Sequence, residues 1–172
     1  MPHVTADELG ALDPDGFAPF LEGLDYPVYV VTTTDGTELS GCLVGFGTQV
    51  SIDPPRMLVC LSVRNHTFRV AQGAELLAVH ILGPDQRSLS ELFGEETGDE
   101  IDKFSRCSWH PGPGGVPLLD GVLRLFVGRV LARVPLGDHT GFLLDPVLVE
   151  APSPRAGLTL EDVKDLEAGH DA

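Results

Sequence analysis

Two stretches of the sequence concentrate residues that could do chemistry. The longer, Gly41 to Thr67, opens with an apolar, glycine-spaced run of Gly41, Leu43, Val44, Gly45, Phe46 and Gly47. Gly45 and Gly47 weaken a strand unless a bulge or a close backbone approach calls for them. Hydroxyl and amide side chains follow at Thr48, Gln49 and Ser51. Asp53-Pro54-Pro55 comes next, where two successive prolines stop a hydrogen-bonded ladder. Asn65-His66-Thr67 reads as a helix entry with Arg64 and Arg69 beside it, and such an entry favours anions. These features suit a planar ligand with a phosphate tail. They equally suit a plain hairpin whose Gly and Ser only make turns.

The second stretch, Leu136 to Phe142, places His139 in a tight turn after Gly137-Asp138. The adjacent carboxylate can orient the imidazole. The alternative is a turn histidine bonded to Asp138 alone. His66 and His110 read as surface or capping residues. Cys107-x-x-His110 has metal-like spacing but lacks a second pair, so no zinc site is expected. Gly112-Pro113-Gly114-Gly115 is no dinucleotide fingerprint, because no strand leads into it and no helix follows.

The elements that must position these residues are mostly strands. Val- and Thr-rich or apolar runs predict strands over Tyr26 to Thr34, Glu38 to Thr48, Arg56 to Ser62, Leu76 to Leu82, Val122 to Val134 and Thr140 to Glu150. Thr5-Ala-Asp-Glu8 signals a capping box for a helix over Ala6 to Leu12. Phe17, Phe20, Leu21 and Leu24 recur at helical spacing, and that helix would plug a barrel end or cover a partner. Short helices are expected from Thr67 to Gln72 and from Pro84 to Phe93, with a helical turn over Ile101 to Phe104. His110 to Gly115 is expected to be irregular, and Thr159 to cap a short helix carrying Leu160, Val163 and Leu166. Six strands with few long helices imply a mainly β, closed antiparallel barrel.

Composition bounds the rest. With 172 residues and 42% hydrophobic content the chain can bury one real core, and a single domain is expected. Net charge is −15, from 11 basic against 26 acidic residues, which argues against nucleic acid and anionic membranes as partners. No apolar run approaches the roughly 20 residues of a membrane span, and no signal pattern opens the chain, so a cytoplasmic protein is expected. Cys42, Cys60 and Cys107 are odd in number, and two lie in apolar runs, which fits buried free thiols in a reducing compartment.

The ordered blocks Gln49-Val50-Ser51-Ile52-Asp53-Pro54-Pro55, Asn65-His66-Thr67 and Leu136-Gly137-Asp138-His139-Thr140-Gly141-Phe142 resemble the signature of the flavin reductase-like family, the FMN-binding split barrels. The likeness runs from about Tyr26 to Glu150, which leaves 151–172 as a C-terminal extension. It departs at one place: the family's Thr-x-Asn-Ser falls on Leu43-Val44-Gly45-Phe46, without hydroxyl or amide. The resemblance implies a six-stranded antiparallel split barrel that binds FMN (or FAD) and takes hydride from NADH or NADPH. It also implies a homodimer, and reduced flavin delivered to a partner monooxygenase. The slot for the flavin ring would be made by Gly45, Phe46 and the Pro54 corner, and its edge met by Thr48, Gln49 and Ser51. Leu43 and Phe46 would offer main-chain N–H groups, and Val44 between them would belong to the same cofactor-binding run. The phosphate would meet Asn65, His66 and Thr67, and the resemblance puts His139 at the nicotinamide. The alternatives are an electron-transfer protein without reductase turnover and a flavin-free partner subunit.

Overall fold

The computed structural model describes residues 10–169. Asp13 caps the first helix, α1 (Pro14–Leu21), by accepting from Gly16 N, and Pro14 sits where a missing N–H is harmless. Strands β1 (Tyr29–Thr34), β2 (Leu39–Val44), β3 (Gly47–Ser51) and β4 (Arg56–Ser62) follow. Then come α2 (His66–Ala71), β5 (Leu76–Ile81), α3 (Arg87–Gly94), the short strands β6 (Trp109–Pro111) and β7 (Pro117–Leu119), and the long pair β8 (Arg124–Pro135) and β9 (His139–Glu150).

Seven strands form one antiparallel sheet in the order β2-β1-β5-β8-β9-β4-β3, with β6 and β7 as a separate hairpin. The expected six-stranded closed barrel is therefore corrected to a seven-stranded sheet whose ladder does not close. The reason is local: Gly45 and Phe46 interrupt the single strand expected over Glu38 to Thr48. Its first part pairs with β1 and its second with β4. Because β2 and β3 are the two edges, this two-residue link holds the sheet's edges side by side.

Other expectations shift by a few residues. The first strand starts at Tyr29, because Pro27 is tied instead to Thr159 in an isolated bridge. Pro84–Gln86 is a 3₁₀ turn ahead of α3, and the turn expected over Ile101 to Phe104 forms at Lys103–Arg106. The His110 to Gly115 stretch is not wholly irregular, since β6 pairs with β7 across it. The helix expected after Thr159 is a single 3₁₀ turn, Glu161–Val163, and its carboxylate works backwards: Asp162 Oδ2 accepts from Thr159 N and Oγ1. Of the helix expected over Ala6 to Leu12, residues 10–12 are not helical and the remainder lies outside the described residues.

The sheet buries both faces. Its outer cluster includes Val30, Ala78, Leu125 and Val127 and is covered by α3, the β6–β7 hairpin and Leu158 and Val163 of the C-terminal segment. The inner cluster contains Val31, Val59, Leu61, Val79, Phe142 and Leu144, all at most 1% exposed. Each such side chain contributes about 1.5–3 kcal/mol on burial. One end of this inner core is filled by α2, whose Val70 and Ala71 are buried and whose Phe68 meets Phe142 edge-on at 6.5 Å. That position had been a possibility for α1, which in fact buries none of its residues. All three cysteines are free; Cys42 is buried, and burial pushes its thiol up to about 11.

Candidate active site

At the α2 end of the sheet three separate blocks meet. Strand β4 runs to Ser62, which sits opposite His139 in the β4–β9 register. Val63 N donates to Asp138 O at 3.0 Å, so the β8–β9 turn is pinned to the end of β4. That turn closes through Leu136 N to His139 O at 2.8 Å, with Gly137 at φ +98°, a conformation that strongly favours glycine. The β2–β3 link reaches the same place: Cys60 N donates to Phe46 O at 2.9 Å. Phe46 is 57% exposed, and its ring stands 5.0 Å from the His139 ring, centroid to centroid.

His139 is three-quarters covered, and its Nδ1 lies 2.8 Å from Asp138 Oδ1. A carboxylate only accepts, so Nδ1 carries the proton and Nε2 remains as the ring's other polar atom. The same bond holds the Asp138 carboxyl below its ordinary range.

The start of α2 is largely occupied by its own neighbours. Asn65 Oδ1 accepts from Thr67 N at 2.8 Å and Asn65 O from Phe68 N at 3.1 Å. Thr67 is buried, with its hydroxyl 3.0 Å from Ser40 Oγ. Ser40 Oγ also lies 3.0 Å from His66 Nδ1, and His66 Nε2 is 2.8 Å from Glu38. His66 is thus committed to a polar chain between β2 and α2. Arg69 is paired with Asp99.

A cavity of about 200 Å³ opens beside these residues, lined by Leu43, Asn65, Thr97 and Lys103 and closed by Leu160 and Leu166. Lys103 is the residue that sequence reasoning passed over. Only 5% exposed, it donates to Gly41 O at 3.1 Å and Phe93 O at 3.4 Å and lies over the Phe93 ring. Burial lowers its pKa. The available signal was its place between Ile101 and Phe104 in a strongly acidic chain with only two lysines.

The structure thus brings Leu43, Val44, Gly45, Phe46, Asn65, His66, Thr67 and His139 to one end of the sheet. The other candidates run away along β3: Thr48 pairs with Leu58, Gln49 with Met57 and Ser51 with Arg56. Pro54 lies in the far turn, about 20 Å from Ser62 by strand rise. His110 stands apart, bonded to Asp120 at 2.7 Å.

The pattern that defines the flavin reductase like domain matches residues 21–164, and the chain belongs to that family. It is similar to the FMN reductase (NADH) RutF of Cronobacter sakazakii, with 32% identity over 123 residues, or 72% of this chain and 74% of the relative. Among solved structures it is similar to the NADH:FAD oxidoreductase SgcE6 of Streptomyces globisporus, with a TM-score of 0.77 and 24% identity over 88% of this chain and 92% of that one. The nitrilotriacetate monooxygenase component B homologue of Mycobacterium thermoresistibile gives a TM-score of 0.74 and 24% identity, over 84% and 80% of the two chains. At these identities the two structures speak for the fold.

Proposed function

We propose that this protein is an NADH-dependent FMN reductase, with FAD as the alternative flavin, whose site is the end of the sheet shared by Phe46, Asn65 and His139. The observation that carries this reading is the convergence of three distant sequence blocks on one spot, with Phe46 and His139 in ring contact. Family membership supports it independently.

The residues present fit a flavin. Phe46 gives an exposed apolar surface for a planar ring, and the Gly45–Phe46 link is free of crowding: a Cβ added at Gly45 meets only Leu160, at 3.7 Å. Phe46 O is taken by Cys60, so the link's N–H groups are what it offers the ring edge. Thr48, Gln49 and Ser51 continue along β3 and serve whatever part of the ligand extends that way. Because Asn65 already holds the Thr67 and Phe68 amides, the phosphate is received by the neighbouring cavity, where Lys103 supplies positive charge.

A flavin held at this end of the sheet would supply the redox chemistry, as hydride acceptor for the nicotinamide. His139, held by Asp138, orients the nicotinamide and offsets charge through Nε2. The homodimer belongs to the same proposal, because α1 leaves Phe17, Phe20 and Leu21 exposed, and Leu24, expected on the same helix but lying beyond its end, is exposed too. So does a monooxygenase as the acceptor of reduced flavin.

A second reading, electron transfer or partner binding without reductase turnover, is favoured by one feature. Leu43, Gly45 and Phe46 lack the hydroxyl and amide groups found at those positions in the family signature. Absorption near the flavin bands in protein purified with FMN, followed by bleaching on addition of NADH, separates the readings. Flavin that binds and stays oxidised under NADH selects the second.

A further inference from the structure

The inner core of the sheet is filled by α2 at one end only. Away from α2, Tyr29 and Val79 of the inner cluster, with Met57 and Ile81 packed against it, border a cavity of about 300 Å³. That volume is where small-ligand sites begin. It lies beside Arg56 and Met57 at the start of β4, a strand's length from Ser62 and His139.

Its mouth is polar on one side. Tyr29 is only 7% exposed, and its ring lies against Gly47, where an added Cβ would stand 2.9 Å from Tyr29 Cε2. A glycine there is what lets the phenol lie along the wall. The Tyr29 hydroxyl has no hydrogen-bond partner among the described residues, and burial raises its pKa while the Arg124 charge pulls the other way, so the hydroxyl stays a donor. Arg124 lines the same mouth and donates to Ser153 O at 3.1 Å. Arg56, which also lines the cavity, is neutralised by Asp145 at 2.6 Å, whereas Arg124 has no carboxylate partner among the described residues. An unneutralised guanidinium above an apolar pit stands out in a chain of net charge −15. A carboxylate is the head group that a guanidinium and a phenol O–H jointly satisfy, and charge-assisted bonds of this kind are the strong ones.

We infer that this cavity binds a small organic carboxylate, with its apolar body against Met57 and Val79 and its head between Tyr29 and Arg124. The cavity is distinct from the Phe46–His139 contact but adjoins the proposed flavin site, because Gln49 of β3 lines its wall.

Met57 is the direct reporter, because the chain has two methionines and the other is Met1. The protein carrying 13C-methyl methionine is titrated with octanoate and, separately, with octan-1-ol. Octanoate is expected to shift the Met57 resonance saturably at sub-millimolar concentration, with octanol about tenfold weaker or worse. Arg124→Gln is expected to weaken octanoate about tenfold, and Tyr29→Phe by a few-fold, each in protein with an unchanged circular dichroism spectrum. A Met57 resonance unmoved by millimolar octanoate would overturn the inference. So would equal affinities for octanoate and octanol, or an Arg124→Gln protein that binds octanoate as the parent does.

Discussion

The Phe46 ring meets the His139 imidazole edge-on, with centroids 5.0 Å apart and planes inclined at 65°. The contact joins the β2–β3 link to the β8–β9 turn. A change on either side therefore reaches the other.

His139→Ala is expected to lower kcat/KM for NADH by roughly 5- to 150-fold, the effect of about 1–3 kcal/mol from one lost orienting bond. FMN affinity should change by no more than a few-fold, since the proposed phosphate contact lies at Lys103, in the cavity beside α2. Steady-state kinetics at saturating FMN, beside a separate FMN titration, checks both halves. An unchanged kcat/KM would reduce His139 to a turn residue held by Asp138.

Gly45→Asn restores an amide where the family signature has one. There is room for it, because Leu160 at 3.7 Å is the nearest atom to an added Cβ. One gained hydrogen bond is worth about 1 kcal/mol, so FMN should bind about fivefold more tightly. Fluorescence quenching of FMN on binding measures this; equal or weaker binding would place the ring edge elsewhere.

The strands were legible in the sequence where apolar and Thr-rich runs persist, as in β1, β4, β5 and β9. The split between β2 and β3 was not, because Gly45 and Phe46 read as part of one run until their pairing partners are known. The site was legible as ordered blocks, Asn65 to Thr67 and Gly137 to His139. Which of their polar groups are already spent was not. His66 is bonded to Ser40 of β2 and to Glu38 just before it, and only tertiary structure reveals that commitment. Lys103 escaped notice for a similar reason: its burial depends on Gly41 and Phe93 carbonyls distant in sequence.

Arg133 closes the far side of α2. Its guanidinium donates to Ala71 O at 3.0 Å and to Ala74 O at 2.5 Å, and it lies over the buried Phe142 ring. Arg133→Met keeps the stem and leaves the carbonyls unpaired, so a loss of about 2–3 kcal/mol is expected. For a chain of this size that lowers Tm by roughly 4–12 °C, readable by calorimetry. A shift under a degree would mean that water replaces the guanidinium.

His80 makes stability depend on pH. It is fully buried; Nδ1–H donates to Val30 O at 2.9 Å, and Nε2 accepts from Leu119 N at 3.1 Å. That geometry demands the neutral ring, and burial lowers its pKa from 6.5 to about 4. The unfolded chain therefore takes up the proton first as pH falls. His80 stabilises fully above pH 6.5, and the benefit shrinks towards pH 4, by about 3 kcal/mol in total. Urea unfolding at pH 7.5 and 4.5 should show this loss, and His80→Gln should reduce it. The same slope in both proteins would assign the pH dependence to other groups.

The central claim is that flavin held beside Phe46 and His139 is reduced by NADH. Anaerobic stopped-flow absorbance of the FMN-loaded protein mixed with excess NADH tests it most directly. Bleaching of the flavin band in a single saturable phase, slowed in His139→Ala, is the expected result. FMN that binds but keeps its oxidised spectrum through many minutes of NADH would contradict it.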